Sequence, residues 1–262
     1  MKRLARRAAA AVSRKQAYAS TSSVALVIGM FFGAQIVGAF LFGLVVLLVP
    51  GYSGLDGNAL ATRVTNDPWM YLLLMVLIQG VTLLMLRAAL RYMNQTWKRI
   101  GVGRFQMGYV AYAAAGYGVV LVANTVILAV LQSVLTGVNF DQEQVLSISK
   151  TVTGPGLAAV FVALAILPPV VEELLMRGFL FTQLRQRWSF GVSAVIVSTL
   201  FGLAHITQAR DELFWSGAIG FFVLSLVSCW LREKTKSLWP SIGMHMIQNG
   251  LAFYMLFIAR IV

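Results

Sequence analysis

Long apolar runs separated by short polar connections dominate the chain. Seven segments approach the roughly 20 apolar residues that an α-helix needs to cross a bilayer. They cover residues 23–49, 69–90, 108–135, 155–180, 190–207, 213–231 and 238–261. The apolar runs are continuous and lack the alternation of a membrane β-barrel. The pattern therefore predicts an all-α, polytopic transmembrane bundle of about seven helices, although a re-entrant piece around residues 190–213 would change the count.

The same pattern predicts a single membrane domain. The longest connections, residues 50–68, 91–107 and 136–154, are too short for an independent fold. The first apolar run is longer than the apolar part of a signal peptide, so we interpret it as a retained helix. We expect a basic cytoplasmic N-terminal tail over residues 1–22 and one transmembrane helical domain over residues 23–262.

Composition agrees with a membrane location. Hydrophobic residues make up 59% of the chain and charged residues 11%, and the mean hydropathy is +0.79. Ordinary soluble domains carry about 25% charged residues. We therefore expect an integral, multi-pass protein of a bacterial-type cell membrane, with the lipid bilayer as its surroundings. The one cysteine, Cys229, excludes an internal disulfide.

The net charge of +12 follows membrane topology. Basic residues collect in alternate connections, as the positive-inside rule requires of cytoplasmic loops. The opposite connections hold most of the acidic loop residues, namely Asp56, Asp67, Asp141, Glu143, Asp211 and Glu212. This division predicts a cytoplasmic N-terminus and an external C-terminus. No basic surface pattern with interleaved aromatic residues accompanies the charge, so we expect no nucleic-acid partner.

Three charges interrupt the apolar fourth segment, in the stretch PPVVEELLMRGFL that begins at Pro168. A charged side chain at the bilayer centre is unfavourable by roughly 2.5–3.5 kcal/mol on insertion scales, so these three must face protein or water. Glu173 and Arg177 are four residues apart and share a helix face, whereas Glu172 points about 100° away. The two prolines predict a bent or interrupted helix beside a polar cavity.

Both histidines of the chain lie in apolar segments. His205 follows Phe201 by one helical turn in the fifth segment, and His245 precedes Asn249 by one turn in the seventh. A glutamate can act as a general base on water, and a neutral histidine can relay a proton or bind a metal. A histidine and an asparagine can donate hydrogen bonds to a developing oxyanion. Two glutamates and two histidines in three apolar segments therefore predict a functional site within the membrane.

These residues carry a family resemblance. The three patterns are Glu172-Glu173-x-x-x-Arg177, Phe201-x-x-x-His205 and His245-x-x-x-Asn249. In this order, on consecutive late helices, they resemble the motifs of the CPBP family (CAAX protease and bacteriocin-processing, or Abi) of intramembrane endopeptidases. The resemblance covers residues 172–249, and the first 150 residues contribute topology only.

The resemblance implies a helical protease that hydrolyses a peptide bond in a cavity open toward the cytoplasm. In the prenyl-protein members this step removes a C-terminal tripeptide. By motif position, Glu172 would activate water and His205 would assist it. His245 with Asn249 would stabilise the oxyanion. The best-known prenyl-processing relatives have eight helices, one more than we count here.

The resemblance also implies supporting roles for Glu173, Arg177 and Phe201. Members are commonly described as metalloproteases, and the resemblance equally permits a glutamate mechanism without metal. Zinc is therefore a possible cofactor, with candidate ligands Glu172, His205 and His245. No HExxH spacing supplies the usual pair of ligands on one helix face.

Two alternatives and one mismatch stay open from the sequence. A non-catalytic scaffold or a transporter could use the same polar cavity. An enzyme would need a peptide or protein substrate that has its own membrane anchor or lipid.

By the predicted boundaries, Glu172 and His245 lie about 10 Å from the cytoplasmic ends of their helices and His205 about 20 Å from its own. The fifth helix is therefore expected to start later or to sit deeper.

Overall fold

The computed structural model describes residues 2–52, 54–140, 142, 148–206 and 213–260, with side chains from residue 22 onward. These residues form helices and no strands. The helices are α1 (Lys2–Val46), α2 (Gly57–Asn66), α3 (Pro68–Tyr92), α4 (Gly108–Val134), α5 (Gly156–Leu184), α6 (Phe190–Leu203), α7 (Trp215–Thr235) and α8 (Trp239–Ala259). Several acidic loop residues of the charge argument lie outside the described residues, namely Asp141, Glu143, Asp211 and Glu212.

Six helices are long and apolar enough to cross a membrane: α1 from Ser22, and α3, α4, α5, α7 and α8. The remaining predicted segment is α6, a shorter apolar helix of 14 residues. All seven predicted segments are therefore helical, and the all-α transmembrane class is confirmed. The chain is an integral, multi-pass membrane protein. The predicted N-terminal tail continues the first spanning helix, because α1 begins at Lys2.

Helix α5 lies at the centre of the bundle. It packs against α3 and α8. Helix α8 also packs against α4 and α7, and α7 packs against α6. In its most apolar stretch, 56% of α5 is buried inside the protein, compared with 22% for α3 and 11% for α4. The outer helices expose large apolar side chains such as Ile36 and Val122. Lipid is an apolar solvent, so this exposed surface is what a bilayer requires.

The backbone of α5 is irregular on both sides of the glutamates. A π-helical stretch, Val162–Ile166, comes just before the two prolines, and a second covers Leu174–Leu180. In the first stretch the Leu167 N–H donates to the Val162 carbonyl, five residues back. Proline cannot donate such a bond and its ring crowds the preceding turn. The sequence predicted a bent or interrupted helix here, and the structure shows a continuous helix whose turns widen to the π-helical register on both sides of the glutamates.

Connections that were predicted to be cytoplasmic meet at one end of the bundle. Arg185, which follows α5, forms an ion pair with Glu233 near the end of α7 (Nη2–Oε1, 2.9 Å), and Lys236 approaches the same carboxylate at 3.4 Å. Arg232 on α7 donates to the backbone carbonyl of Arg99 at 3.2 Å. The three connections rich in basic residues among the described side chains are therefore neighbours in space.

Connections that were predicted to be external also contact one another. The backbone N–H of Ser149 donates to the carbonyl of Thr65 at 2.8 Å, which joins residues 136–154 to residues 50–68. Within residues 50–68, Tyr52 donates a hydrogen bond to Asp67. Gln142 donates to the carbonyl of Leu213 at 2.8 Å. The alternation of connections between two ends agrees with the charge pattern, while the side that each end faces stays a prediction.

Cysteine labelling tests the orientation. Cys229 is fully buried, so Cys229→Ala provides a background without thiols. In intact cells, a membrane-impermeant maleimide should label a cysteine at the exposed position Asn58 and should leave one at exposed Lys98 unlabelled until the cells are permeabilised. Labelling of Lys98→Cys alone would reverse the orientation. Labelling of both positions would contradict the placement of these connections at opposite ends.

The N-cap of α3 gives a pH-dependent prediction. Asp67 accepts hydrogen bonds from the backbone N–H groups of Trp69 (2.9 Å) and Met70 (3.2 Å), and from the Tyr52 hydroxyl. Burial raises the pKa of Asp67, but these hydrogen bonds outweigh it and hold the pKa below its ordinary value. The charged form therefore stabilises the fold above the ordinary pKa of an aspartate, and this stabilisation is lost as pH falls through the lowered pKa.

We accordingly expect Asp67→Ala to lower the free energy of unfolding by about 1 kcal/mol at neutral pH. The difference from wild type should shrink as pH falls through the lowered pKa, as measured by thermal unfolding in detergent across an acid pH series. Asp67→Asn is the matched control, because its side-chain oxygen still caps the helix. A destabilisation by Asp67→Ala that is constant with pH would contradict the assigned role of the charge.

Candidate active site

A fully buried ion pair on α5 forms the base of the site. Arg177 Nη1 lies 2.8 Å from Glu173 Oε1, one helical turn apart, and neither side chain is exposed. This confirms the pairing predicted from their spacing. The Arg177 guanidinium also lies over the ring of Phe201 on α6, with 4.3 Å between Cζ and the ring centroid. The π face of that ring attracts the cation and helps to compensate its removal from water.

His245, nearly two turns into α8, lies between the two glutamates. Its Nδ1 is 3.3 Å from Glu173 Oε1, and its Nε2 is 3.9 Å from Glu172 Oε2. An ionised carboxylate only accepts hydrogen bonds, so Nδ1 carries a proton and donates it to Glu173. In a neutral imidazole Nε2 is then an acceptor. The ion pair on α5 therefore sets the tautomer of the histidine on α8.

The gap between Glu172 and His245 suits one water molecule. At 3.9 Å the two atoms are too far apart for a direct hydrogen bond. If a water oxygen lies about 2.8 Å from each atom, the angle at that oxygen between the two atoms is about 90°. This is close to the angle between the two O–H bonds of water. Glu172 is 22% exposed whereas Glu173 is fully buried, so Glu172 is the carboxylate that faces the accessible side. Two acceptors here can orient one water.

His205 lies directly after α6, beside the same group of side chains. Its Nδ1 is 2.7 Å from the backbone carbonyl of Phe201, which only accepts, so this nitrogen also carries the proton. The imidazole stacks on Phe221 of α7, with 3.8 Å between ring centroids and 24° between planes. The ring of Phe201 contacts both imidazoles, so His205 and His245 lie on either side of one aromatic side chain.

Phe201 is the common neighbour of the charged and aromatic groups. Its ring centroid lies 4.8 Å from that of His205 and 5.7 Å from that of His245, in addition to its contact with Arg177. It is only 1% exposed. The resemblance implied a supporting role for Phe201, and in the structure its ring contacts His205, His245 and Arg177.

Asn249 lies one turn after His245 on α8 and faces a different part of α5. Its Nδ2 donates a hydrogen bond to the backbone carbonyl of Leu164 at 2.9 Å. By resemblance, His245 and Asn249 were expected to act together at the oxyanion. In the structure, His245 contacts the two glutamates, and Asn249 contacts the irregular backbone on the other side of the prolines.

The side chains do not form a metal site. Among the described residues, no group of three or more histidine, cysteine, aspartate or glutamate side chains converges closely enough to hold a metal ion. The candidate ligands Glu172, His205 and His245 therefore do not fit zinc in the arrangement described. A description of this chain as a metalloprotease has no support from the geometry, and we derive no step through a metal.

The expected mismatch in depth has a structural reason. Helix α5 continues to Leu184, so Glu172 lies 12 residues, or about 18 Å, from its end. His205 lies about 22 Å from the start of α6 at Phe190, which is a similar depth. The predicted end of this helix at residue 180 was wrong, and the observed end removes most of the difference between Glu172 and His205. His245 stays about 9 Å from the start of α8 at Trp239, so the difference between His245 and His205 is unchanged.

Sequence reasoning missed two members of the site. Phe221 stacks on His205 but belongs to no motif, and an aromatic residue in an apolar helix gives no distinguishing signal. The carbonyl of Leu164 is a backbone group, so the identity of the side chain at position 164 does not indicate that this carbonyl takes part in the site. The two prolines that follow it were the available signal, because they remove the donors that it would use in a regular helix.

A family model matches part of the chain. Residues 154–251, or 98 of the 262 residues, match the family described as type II CAAX prenyl endopeptidase Rce1-like. This is consistent with the CPBP family and confirms that resemblance over the matched residues, which include every candidate site residue. Comparisons with curated proteins and with solved structures gave no significant match.

The buried ion pair gives a stability prediction. Arg177→Met should lower the free energy of unfolding by about 3–5 kcal/mol, because it leaves the Glu173 carboxylate buried without its cation. The double variant Glu173→Gln/Arg177→Met should be markedly more stable than the single variant. Arg185→Met is the matched control, since its pair with Glu233 is about 30% exposed and worth about 1 kcal/mol or less.

Thermal unfolding in one detergent compares the four proteins. If the single and double variants at the buried pair were equally destabilised, the ion pair would not be the source of the effect. An equal loss from Arg185→Met and Arg177→Met would also remove the distinction between exposed and buried pairs.

Proposed function

We propose that this chain, whose residues 154–251 match the type II CAAX prenyl endopeptidase Rce1-like family, is an intramembrane endopeptidase. Its substrate would be a membrane-anchored or lipidated protein or peptide. One observation supports the chemistry most directly. A partly exposed carboxylate, Glu172, faces the Nε2 atom of His245, whose other ring nitrogen is held by the buried Glu173. This arrangement orients a water molecule for attack on a carbonyl carbon.

Water activation follows from the two acceptors. A water between Glu172 Oε2 and His245 Nε2 directs one O–H to each, which leaves an oxygen lone pair pointing away from both. As that lone pair bonds to the carbonyl carbon of the peptide, Glu172 accepts the proton that the water loses. The carbonyl oxygen becomes an oxyanion. When the C–N bond breaks, the proton is transferred to the leaving amine, so Glu172 is a carboxylate again at the end.

The histidines and Asn249 divide the remaining tasks. By resemblance, His205 assists Glu172, and His245 with Asn249 stabilises the oxyanion. The geometry favours His245 as the histidine that holds the water, since its Nε2 is within 4 Å of Glu172. His205 Nε2, opposite its Nδ1 bond to Phe201, is then the ring nitrogen that accepts or returns a proton beside the oxyanion. A role of Asn249 at the oxyanion would need its second N–H, because the first is donated to Leu164.

The position of the site favours an anchored substrate. The reacting side chains lie on helices long and apolar enough to span a membrane, and just after the short apolar helix α6. A soluble peptide would have to leave water to reach them. A prenyl chain or a membrane segment already partitions into the bilayer, gaining about 0.8 kcal/mol for each buried CH₂. A prenylated C-terminal peptide, the substrate class named in the matching family, is therefore the first substrate to test.

Replacement of Glu172 tests the function. Glu172→Gln and Glu172→Ala in the purified protein should reduce the cleavage rate of a prenylated C-terminal peptide by about 10²–10⁴-fold, because both variants lack the base. Mass spectrometry of the released peptide measures the rate. Glu233→Gln is the matched control, since it removes an acid from α7 that pairs with Arg185 and should leave cleavage unchanged. Cleavage that is unaffected by Glu172→Gln would reject the assigned base.

Metal removal provides a separate arm of the same experiment. Cleavage after exhaustive chelation, with the metal content measured, should equal that before chelation if Glu172 and His245 activate water by themselves. A loss that zinc restores would instead assign the activation to a metal. If the wild type cleaves neither a prenylated peptide nor a library of membrane-protein peptides, the protease proposal is contradicted and the scaffold or transporter interpretation is favoured.

A further inference from the structure

We propose that Asn249 is a positioning residue that replaces the hydrogen-bond donor missing from α5 and thereby sets the direction in which that helix presents Glu172. For its kinetic readout this inference rests on the protease function proposed above. Its structural readout does not depend on that function.

The carbonyl of Leu164 has no donor of its own in α5. In a regular α-helix its partner would be the N–H of residue 168, and in a π-helix the N–H of residue 169. Both residues are prolines and have no N–H. The carbonyl is therefore without a partner in either helical register, at a level where lipid offers no hydrogen bonds.

Asn249 supplies the missing donor from another helix. Its Nδ2 lies 2.9 Å from the Leu164 oxygen, which is the ordinary length of an N–H···O bond. The neighbouring N–H of Leu167 is already used on the Val162 carbonyl in the π-helical stretch. The Asn249 side chain on α8 is thus the hydrogen-bond partner of the Leu164 carbonyl on α5.

Helix α8 consequently holds α5 on both sides of the prolines. His245 contacts Glu173 after them, and Asn249 contacts Leu164 before them. The two contacts are four residues apart on α8 and nine residues apart on α5. Movement at either contact changes the angle between the two parts of α5. That angle decides where Glu172, next to Glu173, lies relative to His245 Nε2.

Removal of the donor should therefore affect turnover more than binding. We expect Asn249→Ala to lower kcat for the prenylated peptide about tenfold with KM changed less than twofold, and to lower the melting temperature by about 2–8 °C. Asn249→Asp, which has the same shape and no N–H at neutral pH, should be at least as damaging. Gln248→Ala, the adjacent position on α8, is the matched control and should leave both quantities unchanged.

A double-mutant cycle with the prolines separates positioning from a direct role at the oxyanion. Pro168→Ala/Pro169→Ala restores a backbone N–H at both positions that could serve Leu164. In that background Asn249→Ala should change the melting temperature by less than about 1 °C and kcat by less than twofold. An oxyanion donor would instead lose the same factor in kcat in both backgrounds, and that result would overturn the proposal.

The two readouts separate this inference from the proposed function. If the wild type does not cleave, the thermal cycle alone decides: coupling between Asn249 and the prolines supports the positioning role, and equal losses in both backgrounds reject it. If Asn249→Ala does not fold in the wild-type background, recovery of folded protein in the proline-free background gives the same support. Failure to fold in both backgrounds overturns the proposal.

Discussion

The ion pair between Glu173 and Arg177 is the interaction on which the polar centre of this bundle depends. Both groups are fully buried, so each needs a partner of opposite charge at hydrogen-bond distance. Once the carboxylate is ionised, it can only accept, and it therefore dictates which nitrogen of His245 carries the proton. The guanidinium in turn lies over the aromatic face of Phe201, which attracts the cation. One pair on α5 thus orients groups on α6 and α8.

A second constraint comes from the backbone. Within a membrane every N–H and C=O must find a partner inside the protein, and the prolines of α5 violate this rule locally. The structure meets it with π-helical turns and with a side chain from α8. The irregular helix is also the one that carries the glutamates. Irregular backbone and buried charge therefore occur together, because both need neighbouring helices to complete their hydrogen bonds.

Sequence predicted the fold better than the contacts within the site. Hydropathy alone identified seven of the eight helices among the described residues, since length and apolar composition determine what can span a bilayer. It missed α2, a short helix in the connection over residues 50–68 that is not apolar enough to give such a signal. Spacing on one helix correctly paired Glu173 with Arg177. Contacts between helices were harder: the bond from Asn249 to Leu164 and the stacking of Phe221 on His205 depend on how helices are staggered, which no periodicity within one helix contains. The roles assigned to the individual site residues stay predictions.

The two imidazoles have one geometric property in common. Each holds its Nδ1–H against a fixed oxygen, the Glu173 carboxylate for His245 and the Phe201 carbonyl for His205, while aromatic rings pack beside it. A flip of either ring would break that bond and would have to displace those neighbours. Each ring can therefore gain or lose a proton only at Nε2, and its orientation is set during folding. Protonation at Nε2 changes its charge without a change of shape, so little reorganisation energy accompanies proton movement at this site.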